Sequence, residues 1–458
     1  MQEVGLDREI SPLDGRYRDT LAPLGEFFSE FALVKARCRI ELLYLEALDR
    51  TGLFPPLGDD ERSRVASTME TFSDADFERV KRIEAEIGHD VKACERFLRE
   101  ALLLTDPNRI HFGLTSADVN TLAYGLILKD YRDEIQVPQL RKLIGTLVDL
   151  AERWRDVVFP ARTHGQPASP TTAGKEFAVF LDRLLRQAEQ LERLPFRGKL
   201  NGATGTYAAF VAAFPKFDWI GFSDRFVAAL GLEPSRCTTQ IEGHDALAEY
   251  FALVSRINNV VLDLDVDLWE YISRGEIAQR SVKGEVGSST MPHKVNPIRF
   301  ENSEGNLAVS NALLSSFSDR LPRSRMQRDL SDTTVKRNIG VALAHAYLAI
   351  DSTISGLGEI DVDERLASAH VEESPQILAE AFQSILRREG VDDPYESLRR
   401  ATRGKRITLE EMHEWIDTLS IDNKVAERLK ALRPVDYVGL ASRLCDDAIQ
   451  RARAWLSR

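Results

Sequence analysis

Between Gly243 and Arg274 the apolar residues Leu247, Tyr250, Phe251, Val254, Ile257, Val261, Leu264, Leu268 and Ile272 recur at steps of three and four. That spacing describes one face of an α-helix. At about 1.5 Å per residue the predicted helix is on the order of 45 Å long. A single apolar stripe of that length needs neighbours of similar length, which suits a bundle or a coiled-coil seam better than a compact globule. Comparable stripes run through Phe177, Phe180, Leu181, Leu184, Leu185, Ala188, Leu191 and Leu194, through Leu307, Leu313, Leu314, Phe317 and Leu321, and through Val335, Ile339, Leu343, Ala346, Ile350, Ile354 and Leu357. Two more helical stretches, Val119–Ile135 and Val137–Trp154, meet near Pro138. The expected fold is all-α, with about five long helices forming a central bundle.

The 458 residues suggest about three modules. Residues 1–111 read as shorter helices broken by Pro12, Gly15, Pro23, Pro55, Pro56 and Gly58. Residues 112–358 hold the bundle. In residues 359–458 the helices shorten again around Asp392-Asp393-Pro394 and Arg403-Gly404. No stretch approaches the roughly 20 apolar residues that span a bilayer. Glu3, Asp7, Arg8 and Glu9 do not resemble a secretion signal. Cys38, Cys94, Cys237 and Cys445 are too scattered for a metal motif and read as reduced thiols. The expected setting is cytoplasmic, away from membranes. The net charge of −12 argues against a nucleic-acid partner, because phosphate neutralisation needs a basic surface. An anionic substrate would need a local cluster of Arg and Lys to reverse the sign.

Polar islands interrupt the apolar stripes. Gly287-Ser288-Ser289-Thr290-Met291-Pro292-His293-Lys294-Val295-Asn296-Pro297 combines small residues, three hydroxyls and a lysine between two helical patterns. Such a composition suits a mobile loop that closes over an anion and presents a hydroxyl. Arg162-Thr163-His164-Gly165-Gln166-Pro167 places a histidine, the natural acid or base near neutral pH, in a loop ahead of a long helix. His89-Asp90-Val91-Lys92 falls inside a helical pattern and taken alone reads as a solvated helix face. Thr115-Ser116 precedes a helix as an N-cap, and the same geometry leaves N–H groups outward for a carboxylate. Arg323–Asn338 gathers arginines and hydroxyls that fit either an ion-paired turn or a phosphate cradle. No P-loop, dinucleotide fingerprint, HExxH or nucleophile elbow is present. Acid–base work on an anion is expected, with no cofactor and no metal.

The 287–297 segment resembles the GSSxMPxKxNP signature of the fumarase/aspartase superfamily. Ser11–Tyr17, His89–Lys92, Thr115-Ser116, Arg162–Pro167, Thr238–Glu242, Arg325–Arg337 and Thr402–Arg406 are similar, in order, to the branch of that superfamily that acts on succinyl-substituted nucleotides. The likeness covers nearly the whole chain. One departure is Gly88, where that branch commonly has Asn. The resemblance implies a three-domain, all-α fold and a homotetramer with a twenty-helix core, each shared active site drawing on three subunits. It implies a β-elimination that releases fumarate from a small-molecule nucleotide; another fumarate-releasing lyase of the superfamily is the alternative. Ser288 would be the base, with Ser289 as second choice, and His164 the acid. A serine hydroxyl is a poor base, and Lys294 in the same loop is the cation that would favour its alkoxide. Glu301 would orient the histidine. His89, Asp90, Thr115, Ser116, Gln240, Asn296 and Asn302 would hold the succinyl carboxylates and neighbouring groups, with Lys294 among them. Arg16, Tyr17, Arg328, Thr333, Thr334 and Arg337 would hold the nucleotide, the arginines at its phosphate.

Overall fold

The computed structural model describes residues 9–280, 295–402 and 407–458. Ser288, Ser289 and Lys294, and the Arg403–Arg406 part of the resemblance, lie outside these residues. The N-terminal helices are α1 (Glu30–Asp49), α2 (Asp59–Glu70), α3 (Asp74–Ile87) and α4 (Asp90–Leu102). The long helices are α5 (Ser116–Tyr131), α6 (Val137–Arg153), α7 (Ala173–Arg193), and, after a shorter α8 (Trp219–Ala229), α9 (Asp245–Arg274) and α10 (Ile298–Arg320). A short α11 (Ser331–Lys336) leads into α12 (Ile339–Gly358). The C-terminal helices are α13 (Glu364–Glu372), α14 (Ala379–Arg388), α15 (Pro394–Thr402), α16 (Leu409–Asp417), α17 (Asn423–Lys430) and α18 (Ala441–Leu456). The described strands are two or three residues long and pair two by two.

The all-α expectation therefore holds, and two local expectations change. His89 does not sit inside a helix, and Asp90 opens one. Gly88 stands at φ 66° and ends α3, so His89 becomes the N-cap of α4. The stretches flanking Pro138 are not separate either. A π-type turn, Arg132–Gln136, joins α5 to α6 without a break. Proline lacks an N–H and crowds the preceding turn, and this wider turn takes up the mismatch just before it.

The chain divides into two compact units. One comprises Met1–Gln139, Gln187–Asn259 and Gly305–Ala349; the other comprises Leu140–Arg186, Val260–Glu304 and Ile350–Arg458. In the first unit α1 packs on α5, and α3 on α4. Val34, Cys38, Leu42, Leu45, Val80, Ile83, Cys94, Leu98 and Leu102 fill the core between the N-terminal helices. Ser29 caps α1 by accepting from Ala32 N (3.1 Å), and Ser73 and Asp76 form a capping box at α3; each satisfies N–H groups that a helix start leaves open.

In the second unit Leu378, Phe382, Leu386, Met412, Ile416 and Leu429 form a C-terminal core. β1 (Val158–Phe159) pairs antiparallel with β4 (Thr171–Thr172), enclosing the hairpin of β2 (Arg162–Thr163) and β3 (Gln166–Pro167). Between the long helices of this unit a carboxyl is buried, and among the described residues no cation pairs with it. Thr353 Oγ1 lies 2.9 Å and 3.1 Å from the two Asp265 oxygens and 2.9 Å from Ser303 Oγ. Burial, with Glu304 adding repulsion, pushes the Asp265 carboxyl up to about 8. The Ser303 and Thr353 hydroxyls oppose that rise without overcoming it.

The folded chain thus keeps a proton that the unfolded chain releases near pH ~4. The unfolded state binds fewer protons across this window, so stability falls as pH rises from about 4 to about 8. Asp265→Asn, permanently neutral, should remove that part of the fall. Thermal midpoints of both proteins at about pH 5 and about pH 8.5 check this; parallel trends would contradict it.

Candidate functional site

In the first unit three of the expected binding residues, Thr115, Ser116 and Gln240, are set by one buried carboxylate. Thr115 N donates to Asp118 Oδ2 (2.9 Å), closing a capping box at the start of α5. Asp118 is fully buried and also accepts from Lys199 Nζ (2.6 Å), Asn201 N (3.1 Å) and Gly202 N (3.2 Å). Burial pulls the Lys199 ammonium below the usual lysine range, opposed by Asp118 beside it. Asn201 Nδ2 in turn holds Thr238 Oγ1 (2.9 Å), and Gln240 Nε2 donates to Ala203 O (3.1 Å). Gly205 permits this approach. It stands at φ 71°, and a Cβ there would meet Thr238 O at 2.2 Å. One carboxylate thereby sets Thr115 and Ser116 at a helix start and Gln240 on the facing loop.

Gln240 leads to the basic island. Its Oε1 lies 3.5 Å from Arg328 Nη1, while Arg328 Nη2 donates to Thr333 Oγ1 (3.1 Å). Asp332, buried in α11, pairs with Lys336 (2.7 Å) and lies 4.0 Å from Arg328 Nε. Burial pushes the Asp332 carboxyl up, but His244, Lys336 and Arg328 outweigh it and hold the group well below the usual carboxylate range. Lys336 Nζ also faces the Tyr124 ring at 5.5 Å. Burial pushes that phenol up to about 12. Arg337 ends α11 and lies 3.5 Å from Asp90 Oδ2, which Arg37 Nη2 approaches at 2.8 Å. Burial raises the Asp90 carboxyl, yet Arg37, the Val91 N–H and Arg337 bring it below its ordinary value. Four cations thus surround Asp90 and Asp332, a local excess of positive charge in a chain of net charge −12.

His89 is exposed, with its Nδ1 accepting from Lys92 N (3.2 Å), so the outward nitrogen carries the proton in the neutral ring. Arg16 lines a separate open cleft with Glu9, Ser11 and Asp19, and its guanidinium lies 5.8 Å from the Tyr17 ring. Arg337 lines a second cleft of about 800 Å³ together with Ser11, Asp14 and Arg18. The Thr334 side chain is exposed beside these groups.

The second unit holds the expected acid. His164 and Gly165 form the two-residue turn of the β2–β3 hairpin, at φ 52° and 72°. Two left-handed residues are what this tight hairpin turn demands. They lift the imidazole to an exposed tip. Beneath it, Arg162 Nη2 lies 3.5 Å from the buried Glu276, which also meets His370 Nδ1 at 3.0 Å. Glu301 accepts from the Trp269 indole (3.1 Å) and is not hydrogen-bonded to His164. Asn302 is exposed on α10, and Asn296 is half-buried just ahead of it.

Sequence reasoning gave no role to Arg37, Asp118, Lys199, Lys336 and Glu276, and it saw Asp332 as no more than an ion-pair partner in a turn. Asp118 had a signal, the Thr-x-x-Asp spacing of a capping box. Lys199 had none, since its partner lies 81 residues away. Among the described residues no three His, Cys, Asp or Glu side chains converge as metal ligands.

The sequence matches the lyase family over residues 15–310 and the adenylosuccinate lyase C-terminal family over residues 324–438. It is 44% identical to adenylosuccinate lyase of Haemophilus influenzae over 445 residues, covering 95% of this chain and 98% of that one. It is 43% identical to adenylosuccinate lyase of Escherichia coli strain K12 over 446 residues, covering 96% and 98%. In fold it is similar to a fumarate lyase from Mesorhizobium sp. BNC1, with a TM-score of 0.76 at 21% identity over 94% of this chain and 97% of that one. It is also similar in fold to the 3-carboxy-cis,cis-muconate lactonizing enzyme of Pseudomonas putida, with a TM-score of 0.74 at 21% identity over 95% and 98%.

Asp118→Asn keeps the shape but leaves the Lys199 ammonium buried without its counter-charge. Urea unfolding should show a loss of about 3–5 kcal/mol. Adding Lys199→Met should recover part of it, since both charges are then gone. Strict additivity of the two losses would contradict the pairing.

Proposed function

The chain belongs to the lyase family and, within it, to the adenylosuccinate lyases; from that membership we propose that its site splits adenylosuccinate into AMP and fumarate by β-elimination. The same chemistry releases fumarate from the succinyl-carboxamide ribotide, the other such step of purine nucleotide synthesis. The chain is a carbon–nitrogen lyase whose substrate is a small nucleotide. The observation that carries the nucleotide reading is the Arg328 fork, joined to Gln240 and Thr333 and placed in one short segment with Arg337. A fumarate-releasing relative without a nucleotide substrate has no need of such a cradle.

The reaction needs a base at the carbon beside a carboxylate, an acid at the leaving nitrogen, and donors in place for the charge that develops. We assign the base to Ser288 and the acid to His164. The hairpin turn supports the second assignment, because it presents an imidazole whose backbone is already set. Lys294 lowers the cost of the serine alkoxide, and Glu301, which is not bonded to His164 within one chain, orients the histidine of another subunit in the shared site. Thr115, Ser116, Gln240, His89, Asp90, Asn296 and Asn302 take the succinyl end. Arg328, Thr333, Thr334, Arg337, Arg16 and Tyr17 take the nucleotide. The first of these groups to reach an incoming anion are the exposed cations, where steering by a local field acts.

Among the described residues, His164, Glu301, Asn296 and Asn302 belong to one compact unit and the remaining site residues to the other. A homotetramer with shared active sites accommodates this division, because each site can then draw residues from more than one subunit. Val266 and Trp269 of α9 and Val309 of α10 are large apolar side chains left exposed, as faces awaiting a second copy would be. The three-module reading, 1–111, 112–358 and 359–458, assigns the middle segment to that assembly. Among the described residues no helix is long and apolar enough to cross a membrane. All four cysteines are free thiols, which supports a reducing cytoplasmic setting. The acidic surface supports the absence of a nucleic-acid partner.

The direct test is an ultraviolet assay with adenylosuccinate, following AMP and fumarate, with AMP added as inhibitor. Absence of turnover with that substrate would overturn the reading. Ser288→Ala and His164→Ala should each lower kcat by about 10²–10⁴-fold while KM changes little. Wild-type turnover in either variant refutes that assignment. Light scattering should give four chains per particle, and a fully active monomer would refute the shared site.

A further inference from the structure

His244 has no part in the assignments above, yet its setting is unusual on three counts. Its backbone stands at φ 61°, a left-handed conformation disfavoured for a residue with a full side chain. Its carbonyl accepts from Ala248 N (2.9 Å), so it forms the first link of α9, and its N–H donates to Glu242 Oε2 (2.7 Å). Its ring is buried, and among the described residues neither ring nitrogen has a hydrogen-bond partner. Native interiors rarely leave a polar group in that state without a reason.

The ring lies between two carboxylates. Nδ1 is 3.7 Å from Glu242 Oε2, and Nε2 is 3.7 Å from Asp332 Oδ2. Glu242 follows Gln240 by two residues, and Asp332 immediately precedes Thr333. Burial pushes the Glu242 carboxyl up, but the His244 ring and backbone N–H hold it below the usual range. Without the ring the two carboxylates would face each other across a buried gap, with Lys336 and Arg328 paired to Asp332 alone. Those same two segments meet again at Arg328, which touches Gln240 and Thr333.

We infer that His244 is a positioning residue for the nucleotide end of the substrate: as a buried wedge between Glu242 and Asp332, it docks α11 on the Gln240 loop and so sets Arg328 and Thr333 in register. The inference rests on the adenylosuccinate reading above. His244 touches no substrate in this role. It acts through Asp332, and its removal lets α11 shift away from the loop, which loosens the phosphate donors and leaves the base and acid alone.

The test is His244→Asn, because Asn accepts the left-handed backbone readily and withdraws only the ring. KM for adenylosuccinate and the AMP inhibition constant should both rise about tenfold, with kcat within about threefold and KM for fumarate in the reverse reaction within about twofold. General loosening of the fold would not separate AMP from fumarate. A folded His244→Asn with unchanged AMP inhibition overturns the inference, as does equal weakening toward AMP and fumarate. Should that variant fail to fold, Glu242→Gln is read the same way, with a raised AMP constant supporting the wedge and an unchanged one overturning it. Calorimetric binding of AMP to wild type and variant needs no turnover. A wild type that binds AMP but leaves adenylosuccinate intact therefore refutes the reaction, while the affinity ratio still decides the role of His244.

Discussion

The buried contact between Asp118 and Lys199 is the constraint on which the first unit's site depends. Both side chains are fully withdrawn from water, where the loss of hydration is offset only by close pairing and further hydrogen bonds. Asp118 meets that requirement by taking donors from three places at once, the Thr115 N–H, the Lys199 ammonium and the Asn201–Gly202 backbone. A carboxylate so fully engaged has little freedom. The helix start bearing Ser116 and the loop leading through Asn201 to Thr238 and Gln240 are therefore fixed by one charge rather than by separate contacts.

The electrostatic problem posed by an acidic chain that binds an anion is solved locally. Arg37, Arg328, Lys336 and Arg337 outnumber Asp90 and Asp332, and the two carboxylates organise the cations. Asp332 holds Lys336 inside the protein while Arg328 stays half-exposed at the edge. The buried members set geometry, and the outer arginines remain able to meet a ligand. Exposed cations alone would be screened by salt and free to move.

How much of this was legible in the sequence depended on range. The long helices were, because a stripe such as Leu247–Ile272 repeats a local rule over seven turns. The His89 position was misread for the complementary reason. Helical spacing continues on both sides of Gly88, and only the left-handed φ of that glycine separates α3 from α4. The π-type turn before Pro138 was also hidden, since apolar periodicity does not report a single widened turn. In the site, islands such as Arg162–Pro167 and Arg325–Arg337 stood out as polar breaks in apolar stripes. Lys199 did not, because it derives its meaning from a partner that appears only when distant segments meet. Glu276 is the clearest instance. It looks like an ordinary surface acid at the end of a long helix, yet it is wholly buried beneath the His164 hairpin with Arg162 and His370 as neighbours.

The turn that carries His164 has an evolutionary consequence. Asparagine suits the first position of such a turn at least as well as histidine, and the tip is exposed. On the proposed assignment, one codon change there could abolish chemistry while sparing the architecture. Natural selection on stability alone would not notice the loss. Lineages of this fold can therefore drift into catalytically silent, well-folded descendants, free to be recruited for duties that need only a durable helical body.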